Sequence, residues 1–143
     1  MINNLYKFSY STNILNFVAF KKINYVENSN AQKIIKNLQS DVIANGIVTE
    51  VLVPELKKLR EFALLEEKPV LVKALRLAYE HLEANNDFLI NIPSDEPVEE
   101  DLEVSVTSTN TESFNYFLSL MLDLNNKHNI ADLKDYNQQF QEF

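Results

Sequence analysis

Apolar positions recur at helical spacing through much of the chain, and the longest such stretch is residues 54–86. Pro69 divides it, because a proline gives no hydrogen to the helical ladder and pushes the residue before it, Lys68, out of the helical region. Two helices are expected, with Pro54 and Pro69 each near the first helical position, where the missing amide hydrogen is not needed. The connection through Glu66, Glu67 and Lys68 is short, so the pair should fold back as an antiparallel helical hairpin around which the rest packs.

On a helical wheel the second of these helices confines Lys73, Arg76, Glu80 and Glu83 to a stripe of about 80°. Val70, Leu71, Val72, Ala74, Leu75, Leu77, Ala78, Tyr79 and Leu82 fill the remaining arc together with His81. A helix apolar over most of its circumference is expected to be covered on most sides, which makes it the central helix. The first helix has a main face of Leu56, Leu59 and Ala63, while Phe62, Leu64 and Leu65 point elsewhere and call for cover of their own.

Before this pair, Glu27-Asn28-Ser29-Asn30 supplies an N-cap for a helix from Ala31 to about Asn45, closed by Gly46. Residues 47–53 are a β-branched run that reads either as a strand or as the first turn of the next helix. After the pair, Thr109 and Glu112 form a capping box that opens a helix running to about Asn126, apolar over about 200° of its wheel. Asn129 with Asp132 can cap a last helix, whose Leu133, Tyr136, Phe140 and Phe143 make a narrow stripe. Such a stripe suits docking along one groove, on its own domain first and on a partner second.

Strand signals appear in three places. Tyr6, Phe8 and Tyr10 alternate with Leu5, Lys7 and Ser9, and residues 14–20 either pair with that run or form a short helix. Residues 88–92 end at Pro93, and Leu102, Val104 and Val106 alternate with Glu103, Ser105 and Thr107. These last two runs are expected to pair across residues 93–101. The fold class is therefore mainly α (α+β): a single domain, 1–143, of about five helices around a central helical hairpin, with a small antiparallel β-hairpin and, on one reading, N-terminal strands.

Composition narrows the chemistry. With no cysteine, disulfides and thiolate sites are excluded. The single glycine, Gly46, compares with roughly ten at average usage, so glycine-built phosphate loops and nucleophile elbows are not available. No run approaches the ~18 apolar residues of a membrane span, and the N-terminus has no signal-peptide pattern, so no membrane role and a cytoplasmic location are expected.

The net charge of −8 is unevenly placed. Residues 1–78 carry eleven Lys and Arg against seven Asp and Glu, while residues 79–143 carry two against fourteen. Opposite halves suggest internal docking or head-to-tail association, or simply solvated faces. Asp95, Glu96, Glu99, Glu100, Asp101 and Glu103 crowd one loop, but Pro97 and Val98 break the spacing a calcium loop needs. A solvated loop that guards two strands accounts for them better.

His81 and His128 share no metal-ligand spacing. His81, on an apolar arc, reads as a core histidine bonded to a carbonyl, and His128 reads as the end of a helix. Glu66 and Glu67 are adjacent and point apart, a poor acid/base pair. No catalytic, cofactor-binding or metal residue is assigned, and no cofactor is expected.

The reading that fits best is a non-enzymatic protein-protein interaction module: a small acidic adaptor, chaperone, inhibitor or assembly subunit, bound to a protein partner or to itself. Its candidate surface is Phe62, Leu64, Leu65, Leu133, Tyr136, Phe140 and Phe143. An alternative is an enzyme or small-ligand binder with His81, Tyr79 or the acidic loop between the helices and the β-hairpin. A third, disfavoured in so acidic a chain, is nucleic-acid binding through Lys57, Lys58, Arg60, Lys73 and Arg76.

Overall fold

The computed structural model describes residues 28–94 and 108–143, and every structural statement below concerns these residues. They contain five helices: α1 Ser29–Asn45, α2 Thr49–Leu65, α3 Pro69–Asn85, α4 Asn110–Leu120 and α5 Lys127–Glu142. The expected strands at residues 5–20 and the run 102–106 lie outside the described residues.

Each helix packs against two others, and the contacts close into a ring: α1 on α2, α2 on α3, α3 on α5, α5 on α4, and α4 back on α1. The α2–α3 hairpin is one side of that ring. It makes the most extensive helix contact, but it is not the element everything else surrounds. On α3 only Leu71, Ala74, Leu75, Ala78, His81 and Leu82 are buried, and Val70, Val72, Leu77 and Tyr79 stay half-buried. Its broad apolar arc is wider than its two neighbours need.

The helix ends follow from local chemistry. Asn28 caps α1 by accepting from the Asn30 N–H at 2.9 Å, and Gly46 ends it at φ 74° and ψ −158°, a backbone conformation that essentially only glycine adopts. The helix α2 begins at Thr49, not near Pro54. Leu52 and Val53 are buried on the same inward side as Leu56, Leu59 and Ala63, so burial extends the helix back through residues 49–53. Pro54 lies on the exposed outside of the helix, where it gives no N–H to the carbonyl of Glu50, itself an exposed residue.

The α2–α3 connection is a Schellman turn. Lys68 N–H donates to the Ala63 carbonyl at 3.0 Å and Glu67 N–H to the Leu64 carbonyl at 3.2 Å. Glu67 therefore occupies the left-handed position, φ 55°, that glycine usually takes. Pro69 then opens α3 at its first position, as expected. The antiparallel course of the pair is marked by Lys57, whose Nζ lies 3.0 Å from the Glu83 carboxylate and 5.1 Å from the centre of the Tyr79 ring.

Thr109 and Glu112 form the anticipated capping box, with the Glu112 N–H donating to Thr109 Oγ1 at 3.2 Å and the Thr109 N–H to Glu112 Oε2 at 3.0 Å. The helix α4 stops at Leu120, however, short of Asn126. The Asp123 carboxylate accepts from the Asn125 N–H at 3.0 Å, a side-chain turn that competes with helix. Asn126, not Asn129, then caps α5 by accepting from the His128 N–H at 2.9 Å. His128 thus stands in the first turn of a helix, not in the last turn of one.

The first half of the expected β-hairpin is not a strand. Residues 88–94 form neither helix nor ladder, and their backbone groups are bound by side chains. The Asp87 carboxylate accepts from Phe88 N–H at 2.7 Å, and His81 Nε2 accepts from Leu89 N–H at 3.0 Å. Ser113 Oγ donates to the Ile90 carbonyl, and Gln139 Nε2 donates to the Asn91 carbonyl at 3.2 Å. Three helices take the place of a partner strand.

Phe88 is the residue in the middle. Its ring meets Phe114 at 5.0 Å, Phe117 and Phe140 at 5.8 Å, His81 at 5.9 Å and Tyr136 at 6.2 Å between ring centres. Fully buried, it ties α3, α4 and α5 into one aromatic cluster, several of whose pairs stand edge to face.

Candidate interaction surface

The seven residues proposed from sequence divide into two groups. Leu133 and Tyr136 are fully buried, and Phe140 is half-buried against Phe88 and His81. The narrow stripe of α5 therefore docks in its own domain, between α3 and α4. Only Phe143, 64% exposed, projects beyond it, with its ring 4.8 Å from that of His81.

The other group remains on the surface. Leu64 and Leu65 at the end of α2 are 49% and 82% exposed, and Phe62 packs half-buried against the core beside them. Helical geometry explains the division. Leu56, Leu59 and Ala63 take the inward face, and the two leucines that follow fall outside it just as the Schellman turn reverses the chain.

Three hollows meet at this turn, each lined by Pro69. One of about 520 Å³ lies among Leu64, Glu67, Lys68, Val72, Lys73 and Arg76. A second, of about 530 Å³, is bounded by Val70, Lys73, Lys134, Asn137 and Gln138. The third, about 290 Å³, reaches between Lys68, Leu71, Leu124 and Ile130. Apolar side chains line them together with charged ones. Of the charged lining residues, Lys68, Lys73, Arg76 and Lys134 are basic and Glu67 alone is acidic, a balance of +3 on a chain of −8.

The histidine and the buried tyrosine carry structure. His81 accepts a backbone N–H at Nε2, so its imidazole is neutral, and it bonds an amide N–H, not the carbonyl expected from sequence. Burial holds its pKa below the ordinary histidine value, and the Asp87 carboxylate opposes part of that shift. Tyr136 donates its hydroxyl to the Ser113 carbonyl at 3.1 Å, and burial pushes its ionisation well above the usual tyrosine range. Tyr116 donates to the Asp132 carboxylate on the facing turn of α5.

Of the groups named for chemistry, the acidic loop at residues 95–103 lies outside the described residues, and Tyr79 and His81 do not converge. Tyr79 lies under Lys57 on the α2 side of α3, while His81, two positions on and so about 200° around the helix, faces α5. Four of the five basic residues named for nucleic acid are drawn into pairs: Lys57 with Glu83, Lys58 with Glu55, Arg76 with Glu80 and Lys73 with Gln141. Among the described residues no group of three His, Asp or Glu could hold a metal ion, and no helix is long and apolar enough to cross a membrane.

What sequence reasoning missed is the charged lining. Lys73 and Lys134 are sixty-one positions apart, and nothing in their local patterns joins them. No protein-family model, curated protein or solved structure matches the chain.

Proposed function

We propose that the chain is a protein-interaction module, an adaptor, chaperone, inhibitor or assembly subunit, that engages its partner through the α2–α3 turn. The observation that carries this reading is the exposure of Leu64, which lines one hollow, and of Leu65 next to it, at the turn where the three hollows meet. Exposed side chains that adjoin a concave apolar surface are what an anchoring contact uses. Ile43, also exposed, lines none of these three hollows, and a single exposed hydrophobic asks for no explanation.

The reading is tested by comparing the wild-type chain with a Leu64→Asp/Leu65→Asp variant. Both side chains are exposed, so the variant should melt within about 0.5 kcal/mol of wild type. Cross-linked complexes recovered from host cells, or a self-associated species in sedimentation velocity, should be present for wild type and lost for the variant. Recovery of the same complexes with both proteins overturns the reading.

A further inference from the structure

Resting on that reading, the charge around the α2–α3 turn narrows the kind of partner. We infer that the surface binds an acidic peptide: a segment of another protein whose apolar side chains enter the hollows at Leu64, Pro69 and Val72 while its carboxylates meet Lys73, Arg76 and Lys134.

Three observations carry the inference independently of exposure. First, the charged lining reverses the sign of the molecule, with four basic residues and one acidic in a chain of net −8. Fields at a surface are local, because charges more than about 8 Å away are screened at physiological salt. A short acidic segment seated here therefore feels the basic lining more than the distant carboxylates.

Second, the hollows surround the start of α3, where the helix dipole is positive and the Lys68 side chain supplies no cap. Carboxylates are favoured at such an end. Third, Glu80, the carboxylate paired with Arg76, lies 3.3 Å from it in an exposed pair within one helix, worth little by itself and open to exchange for an incoming carboxylate.

The apolar lining argues against a polyanion. Leu64, Pro69, Val70, Val72, Leu124 and Ile130 are apolar, and none of the residues lining the hollows is aromatic. Nucleic acid would gain from stacked bases and from a longer basic track. A peptide that alternates apolar and acidic side chains uses both the apolar and the basic lining.

The test is selection from a phage-displayed library of random dodecapeptides on the immobilised full chain, followed by fluorescence anisotropy of the enriched peptides. Enriched sequences should combine Leu, Ile or Phe with an excess of Asp and Glu. Their affinity should fall about tenfold on raising salt from about 50 mM to about 500 mM, and about as much in Lys73→Glu/Lys134→Glu. Both lysines are exposed, so circular dichroism melting should be unchanged in that variant.

Enrichment of neutral or basic peptides that still fail to bind Leu64→Asp overturns the acidic partner and leaves the interaction surface standing. Enrichment insensitive to both sets of substitutions overturns both. Failure to enrich any peptide, or retention of single-stranded oligonucleotide lost on Lys73→Glu/Lys134→Glu, overturns the proposal.

Discussion

The two ends of α3 are built on opposite terms. At its C-terminal end, the chain just after Asn85 has no regular structure, yet helix side chains bind its backbone at Leu89, Ile90 and Asn91, Asp87 binds that of Phe88, and aromatic rings enclose Phe88. At its N-terminal end the turn is hydrogen-bonded within itself, but Leu64 and Leu65 face solvent and Glu67 sits in a left-handed conformation. The first end is satisfied by the domain's own groups and holds the fold. The second leaves apolar surface exposed beside a basic cluster, which is the condition for meeting something else.

The largest effect expected from breaking this comparison is at Phe88. Phe88→Ala removes a fully buried ring from between α3, α4 and α5 and should cost about 3–5 kcal/mol, measured as a drop in the urea midpoint. The same loss cannot arise at Leu65, which is mostly exposed. A Phe88→Ala change of less than about 1 kcal/mol would show that the segment is a passenger and that the ring of helices closes without it.

The next effect is smaller and depends on pH. His81 accepts the Leu89 N–H, and burial lowers its pKa in the folded chain, with Asp87 as a partial counterweight. The unfolded chain, whose histidine titrates near about 6.5, therefore takes up the proton first. The stabilisation is complete above that pH and declines as the pH falls through it toward the lowered folded value. Melting of wild type should fall more between about pH 7.5 and about pH 5.5 than melting of His81→Gln, whose side-chain oxygen can still accept from Leu89. Parallel slopes would remove His81 from the pH response.

Much of this contrast was legible in the sequence, and the rest was hidden for identifiable reasons. The closing Gly46, the break at Pro69 and the Thr109–Glu112 box are local signals, and each marks a helix end in the structure. Residues 88–91 do alternate in burial, Phe88 and Ile90 in, Leu89 and Asn91 out, which is the pattern of a strand. Periodicity reports the environment of side chains and says nothing of where backbone groups find partners. His81, Ser113 and Gln139 come from three helices, so no nearby residue announced them. Pro54 misled in the same way, since burial of Leu52 and Val53 outweighed the preference of proline for a first turn. The exposure of Leu64 and Leu65 followed from the wheel of α2, whereas the juxtaposition of Lys73 and Lys134 needed the packing of α5 on α3.

The smallest effect separates conformation from contact at the second end. Glu67 holds φ 55° in a Schellman turn, where a side chain costs about 1 kcal/mol relative to glycine. Glycine loses more freedom on folding, which returns part of that gain, so Glu67→Gly should stabilise by about 0.5–1 kcal/mol. In a chain of this size that is a rise in melting temperature of about 2–4 °C. The substitution also deletes the single acidic residue lining the hollows, so binding of an acidic peptide should tighten while the fold grows firmer. An increase in stability with weaker peptide binding would mean that the Glu67 side chain, rather than the basic lining, makes the contact, and the assignment of charge at this turn would have to be reversed.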